Sequence, residues 1–145
     1  MTAKYANHFV YSYTKPKEAN SWSPVYRPGD RTKILRLDKR NMKQSKMFVE
    51  CTWFWPQLTQ DRSLEQRSTK PHLHDYDEVL GIVGTNRDDP HDLGGESEVY
   101  IGGERHVITK SCLLYLPAGV EHGPFREVNM KNPIFHFESR SLNCE

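Results

Sequence analysis

The sequence predicts an all-β chain, an antiparallel double-sheet jelly roll preceded by an extended N-terminal arm. Three observations predict it. Short runs of β-branched and aromatic residues recur from residue 47 onward, separated by Gly, Pro and Asp turn signals. No stretch carries the 3.6-residue apolar period of an amphipathic helix. The first 46 residues differ in kind, with eleven Lys or Arg against three Asp or Glu, and Pro16, Pro24 and Pro28-Gly29 interrupt any long regular element there. No internal repeat is visible, so residues 47–145 read as one barrel and residues 1–46 as a basic arm packing on the barrel or on a partner subunit. At 145 residues the chain has the size of one domain and can bury a core.

The elements follow in order. In the arm, Tyr5, Tyr11, Tyr13, Trp22 and Tyr26 lie among the basic residues. That mixture suits single-stranded nucleic acid, but packing against protein, with the cations facing water or an acidic barrel, is the favoured reading. Residues 47–55 alternate as a strand, which places Val49, Cys51, Trp53 and Trp55 on one face, read as the core face. Residues 57–70 are polar and read as a loop. The apolar run Val79-Leu80-Gly81-Ile82-Val83 is a strand, and residues 85–96 form an acidic, Gly-containing loop. Residues 96–101 and 104–109 make a hairpin about Gly102-Gly103, because paired glycines accept the positive φ of a tight turn. Cys112-Leu113-Leu114-Tyr115-Leu116 is a further strand, ended by Pro117-Ala118-Gly119, and residues 133–138 form the last.

The chemistry concentrates in His72-Leu73-His74, Glu78 and His122. On a strand, residues two apart share a face at about 6.6 Å, so His72 and His74 can address one ion. Glu78 lies roughly 13 Å further along a straight strand, beyond the reach of a common ion, so the chain must turn. Asp75-Tyr76-Asp77 is the natural reversal, returning Glu78 on the neighbouring strand. His122 arrives from a distant strand end after the Pro-Ala-Gly turn.

These residues resemble the two sequence motifs of the cupin family: His72, His74 and Glu78 in the first, Pro117, Gly119 and His122 in the second. Departures from the pattern include Gly84, one residue early, Ser111 in place of Gly, and Arg126 in place of Asn. The resemblance covers roughly residues 70–138. It implies a cupin barrel in which His72, His74, Glu78 and His122 hold one divalent metal ion. Three neutral imidazoles and a carboxylate leave a six-coordinate ion two open positions. Iron(II) is the favoured ion, while Mn, Ni, Co, Cu or Zn suits the same donors. It also implies an enzyme acting on a small, oxygen-bearing, acidic metabolite, with a preference for a non-haem iron dioxygenase. The alternatives are a metal-dependent isomerase or lyase, or a small-molecule-binding cupin without catalysis, since one scaffold carries many activities.

Other polar residues are candidates on their own chemistry. His136 alternates with Phe135 and Phe137; if its face looks inward it can carry protons beside the site, the equal alternative being a hydrogen-bonded structural histidine. Tyr115 offers a phenol for acid or base work, although a Tyr in an apolar strand is more often core. Tyr76 is a substrate contact in the turn, and Arg126 can clamp a substrate carboxylate, the alternative being a surface ion pair. His91 and His106 read as exposed. Cys51, Cys112 and Cys144 are scattered without ligand or redox spacing, and Cys112 reads as a small core residue. No run approaches the roughly 20 apolar residues of a membrane span, and no signal segment opens the chain, so a cytoplasmic protein is expected. The aromatic arm and the Phe135/Phe137 pair suggest a homodimer in which an exposed sheet edge is covered.

Overall fold

The computed structural model describes residues 4–11, 13, 31–56 and 70–142. Among them a 3₁₀ turn (Ala6–His8) precedes eight strands: β1 (Arg31–Leu37), β2 (Met47–Phe54), β3 (Glu78–Gly84), β4 (Asp92–Ile101), β5 (Glu104–Lys110), β6 (Cys112–Leu116), β7 (His122–Val128) and β8 (Ile134–Ser141). They form a five-stranded sheet, β1-β2-β8-β3-β6, and a three-stranded sheet, β5-β4-β7, with antiparallel pairing throughout. The two sheets face each other across a shared cavity but do not close into a continuous barrel. None of the described helices is long and apolar enough to cross a membrane.

Strand β1 is a finding that the sequence pattern does not reveal. It lies inside the predicted arm, in a basic stretch without clean alternation, and pairs with β2 through a register shift between Lys33 and Leu35. Arg31 reaches across the interior to Glu127 on β7 at 3.4 Å, tying one sheet to the other. Lys33 lies 5.6 Å from the Tyr13 ring centroid, so part of the arm packs on its own barrel. Trp22 and Tyr26 lie outside the described residues, as do residues 57–69 and Cys144.

The alternation expected in β2 is present, but its faces are reversed. Phe48, Glu50, Thr52 and Phe54 are buried, whereas Val49, Cys51 and Trp53 face outward and are half-buried. The physical reason is the polar interior. Glu50 turns inward because Lys33 at 2.5 Å and Arg36 at 3.3 Å meet it there, as a buried carboxylate requires. The outer apolar residues pack on one another instead, Trp53 lying edge-on to Phe135 at 5.2 Å and stacking on Trp55 at 5.6 Å.

The predicted loop at 85–96 is shorter than expected, because β4 already begins at Asp92. A register shift between Asp92 and Ser97, with Gly94 at φ 66°, hides this part of the strand from an alternation test. The two departures Gly84 and Ser111 are bonded to each other. The Ser111 hydroxyl accepts from Gly84 N–H at 2.8 Å and donates to the Pro90 carbonyl at 2.7 Å, bracing the base of the loop. The hairpin turns at Gly102-Gly103 with φ of 57° and 80°, the positive pair its type demands.

Register sorts the inner face of the large sheet into cross-strand rows. Phe48, Arg140 and Glu78 form the first, Glu50, Glu138 and Leu80 the second, Thr52, His136 and Ile82 the third, and Phe54, Ile134 and Gly84 the fourth. The fourth row is apolar and joins Leu93 in the core cluster, with Ile108, Cys112, Phe125 and Met130 packed around it. The core thus floors a cavity whose upper rows are polar.

Candidate metal centre and its cavity

His72 and His122 meet in an isolated antiparallel bridge, exchanging both backbone N–H···O bonds at 2.9 Å. This places their rings side by side, 4.4 Å between centroids. His74 is held next to them because its carbonyl accepts from Gly119 N–H at 2.8 Å. Gly119 stands at φ 79° in the Pro-Ala-Gly turn, a conformation glycine adopts without strain. Asp77 couples the two segments: Oδ1 accepts from Ala118 N–H at 2.9 Å and Oδ2 from the Tyr115 hydroxyl. Sequence reasoning treated Asp77 only as a turn residue.

All three imidazoles are fixed in the same way. His72 Nδ1 lies 2.8 Å from the Lys70 carbonyl, His74 Nδ1 2.9 Å from that of Tyr76, and His122 Nδ1 2.9 Å from that of Val120. A carbonyl only accepts, so each Nδ1 carries a proton, and each ring in its neutral form presents the Nε2 lone pair. The candidate ligand atoms of the three residues lie within 4.8 Å of one another. Glu78, the first residue of β3, brings Oε2 to 3.1 Å from His74 Nε2 and 3.5 Å from His122 Nε2. His122 Nε2 is buried with no hydrogen-bond partner. An orphaned buried acceptor beside two others and a carboxylate is the donor set of a divalent transition-metal ion, so the residues present fit the group that the motif implies.

Electrostatics favour the same use. Burial opposes ionisation of Glu78, but the neighbouring His122 and His74 outweigh it and hold its pKa below the usual carboxylate range. Glu78 in turn raises the pKa of His122 against the effect of burial. Protons and a cation therefore compete for this pocket, and metal affinity falls as the solution becomes acidic.

The site opens into a cavity of about 300 Å³. Its apolar wall is Phe54, Leu80, Val99 and Phe125, and its polar wall comes from β1, β2 and β8. The strand face that sequence left open is settled: His136, Glu138 and Arg140 line the cavity. His136 Nδ1 donates to the Gly81 carbonyl at 2.9 Å. Enclosure by protein pushes its pKa down to about 4 despite that bond, so the ring is neutral at ordinary pH. Enclosure, and then the charges of Glu50 and Glu78, push Glu138 up to about 8, against Lys33 and Arg140. Tyr76 also lines the cavity, its ring stacked on His74 at 3.9 Å and 9°.

No protein-family model matches the sequence, and no curated protein matches it. Solved structures do. Oxalate oxidase in complex with the substrate analogue glycolate aligns over 97% of this chain and 62% of its own, at 17% identity and a TM-score of 0.53. The polyketide cyclase RemF from Streptomyces resistomycificus aligns over 89% of this chain and 81% of its own, at 14% identity and a TM-score of 0.52. An RmlC-like cupin from Shewanella frigidimarina covers 90% of this chain and 95% of its own, at 14% identity and a TM-score of 0.47. The chain has the cupin fold. The chain spans 62% of the length of the oxalate oxidase chain it resembles.

Within the cupin frame the remaining candidates separate. Tyr115 points to the outer face, is 56% exposed and bonds Asp77, away from the cavity. The reason is parity, since Leu114 and Leu116 take the inward positions of β6. Arg126 is likewise absent from the cavity wall; its Nε donates to Glu98 at 2.6 Å, a carboxylate shared with Arg105. Tyr115 therefore reaches the cavity neither as a catalytic phenol nor as core, while Arg126 takes the ion pair that the sequence reading set against a substrate clamp. Glu138 and Arg140 were missed as site residues because only three-dimensional register reveals the inward face of β8. His91 and His106 are exposed, as expected.

Proposed function

We propose that this cupin is a metal-dependent enzyme that moves a proton on a small oxygen-bearing metabolite, an isomerase- or lyase-type reaction. One observation carries the reading: three imidazole rings and a carboxylate converge on a cavity that also holds the enclosed Glu138 carboxyl group, whose pKa burial pushes up to about 8. A divalent ion held by His72, His74, His122 and Glu78 would supply a Lewis acid that polarises a substrate oxygen.

The protein's own groups supply the rest. Glu138 lies two residues from Arg140 on β8, roughly 6.6 Å deeper than the row containing Glu78, and at neutral pH its carboxyl donates a proton. His136 sits one further step down, with its Nδ1–H committed to Gly81 and its Nε2 available as the neutral acceptor. Phe54, Leu80, Val99 and Phe125 keep bulk water from the space between. Glu138, whose pKa is pushed up to about 8, suits proton donation, which works best with a group that titrates near the operating pH, while His136, held neutral with a pKa of about 4, is the weaker acceptor.

The second reading is a non-haem dioxygenase. The same donors suit iron(II), and an apolar wall suits dioxygen. Two assays on one preparation divide the readings. Metal-loaded protein incubated in D₂O with small 2-hydroxy and 2-oxo acids is expected to exchange a carbon-bound hydrogen, and Glu138→Gln to slow that exchange at least tenfold. Substrate-stimulated dioxygen uptake with iron(II), insensitive to Glu138→Gln, would favour the dioxygenase. Neither activity with a fully loaded site would leave a binding protein.

A further inference from the structure

Among the described residues, one cation that lines the cavity has no ion pair. Arg31 is paired with Glu127, and Lys33 with Glu50. Outside the cavity Arg36 and Arg40 share Asp38, while Arg105 and Arg126 share Glu98. Arg140 lines the cavity, yet among the described residues its guanidinium has no ion pair and no hydrogen bond. Its contacts are with aromatic rings, Tyr76 at 4.3 Å and Phe48 at 4.8 Å from their centroids.

Ring faces hold a guanidinium in place through its π surface without using its N–H donors. Its cross-strand neighbour Glu78 would be the obvious counterion, but that carboxylate is turned to His74 and His122. Glu138, two residues away on the same face, makes no ion pair with it among the described residues. A partly enclosed cation left with five unspent donors beside a chelating site is arranged to receive an anion from solution.

We propose that Arg140 is the anion anchor of this cavity, gripping a carboxylate of the same molecule that the metal end chelates, with Tyr76 holding the guanidinium in line. This rests on the metal-site reading above and adds the substrate class, a small acid carrying a second carboxylate a few bonds from its chelating oxygens. The spacing follows from the sheet. Arg140 and Glu78 occupy facing positions on adjacent strands about 4.8 Å apart, so anchor and chelating end are separated by one to three carbon atoms of substrate, and a cavity of about 300 Å³ admits a molecule of that size.

The test uses cobalt(II)-loaded protein, whose visible spectrum reports chelation. The probes are lactate, which chelates but ends in a methyl group, and tartronate, malate and 2-hydroxyglutarate, which add a second carboxylate at increasing distance. At least one dicarboxylate is expected to bind tenfold or more tightly than lactate. In Arg140→Gln that advantage should vanish while cobalt content and lactate affinity stay unchanged, and Arg140→Lys should restore part of it. Equal dicarboxylate-to-lactate ratios in wild type and Arg140→Gln, or no dicarboxylate preference in wild type, overturn the anchor. Failure of wild type to take up cobalt strikes the metal-site reading instead. Calorimetric titration of the metal-free protein with the same dicarboxylates then reads Arg140 alone: weaker binding in Arg140→Gln supports the anchor, and identical curves reject it.

Discussion

The two ends of the cavity hold polar groups inside protein by opposite means. At the metal end each histidine is oriented by a backbone carbonyl within two residues of itself, at 2.8 to 2.9 Å, so that its geometry follows from the local chain path. On the polar wall, side chains hold side chains drawn from distant strands. Glu50 takes Lys33 and Arg36, and Arg140 rests on Phe48 and Tyr76. The first arrangement needs a short motif and a turn. The second needs particular residues facing inward on three strands. On the proposed reading, metal binding and substrate choice would be separately adjustable.

If the ends are separate, their variants should differ most in metal binding. His74→Ala is expected to weaken cobalt(II) affinity at least a hundredfold, whereas Arg140→Gln should change it less than threefold in the same titration. Comparable losses in both would mean that the wall supports the metal site and would dissolve the distinction.

The next effect concerns pH and centres on the wall. Glu138 titrates near 8 in the folded protein and near 4.3 when unfolded. Between those values the folded state holds a proton that the unfolded state has released, so this group's contribution to stability falls as pH rises. His136, whose folded pKa is about 4, acts in the other window, losing stability as pH drops from about 6.5. In metal-free protein, Glu138→Gln should therefore gain on wild type between pH 5 and pH 8.5, by something on the order of a few kcal/mol. Denaturant midpoints that shift in parallel for the two proteins would refute the protonated carboxyl.

Tyr76 is where the ends touch, stacked on His74 and under Arg140. Tyr76→Leu should cost several-fold in both cobalt(II) and dicarboxylate affinity, a modest loss because the carbonyl that fixes His74 remains. An effect on only one of the two would assign Tyr76 to that end. Smallest of all, Ser111→Ala removes the tie between Gly84 and Pro90 and should lower stability by about 1 kcal/mol with metal content unchanged.

The metal end was readable from sequence because its logic is local. Two-residue spacing, one turn and one distant histidine define it, and the structure brings all four residues together. The wall was not readable for the same physical reason that sets it apart. Alternation in β2 was visible, but hydropathy assigns Val49, Cys51 and Trp53 to the inside, whereas a cavity that pairs its own charges puts Glu50 and Thr52 there. Strand β1 was hidden by its basic residues, three of which, Arg31, Lys33 and Arg36, are spent on interior or interstrand carboxylates. Tyr115 and Arg126 looked functional beside the motifs, but strand parity sends both to outer faces.

The most direct test of the account is the metal content of protein purified without a metal-affinity tag and reloaded anaerobically, measured by elemental analysis for wild type, His122→Ala and His91→Ala. Near one equivalent in wild type and His91→Ala, with little in His122→Ala, is the predicted result. Equal content in all three would contradict a site built on His72, His74, Glu78 and His122, and with it the role given to the cavity.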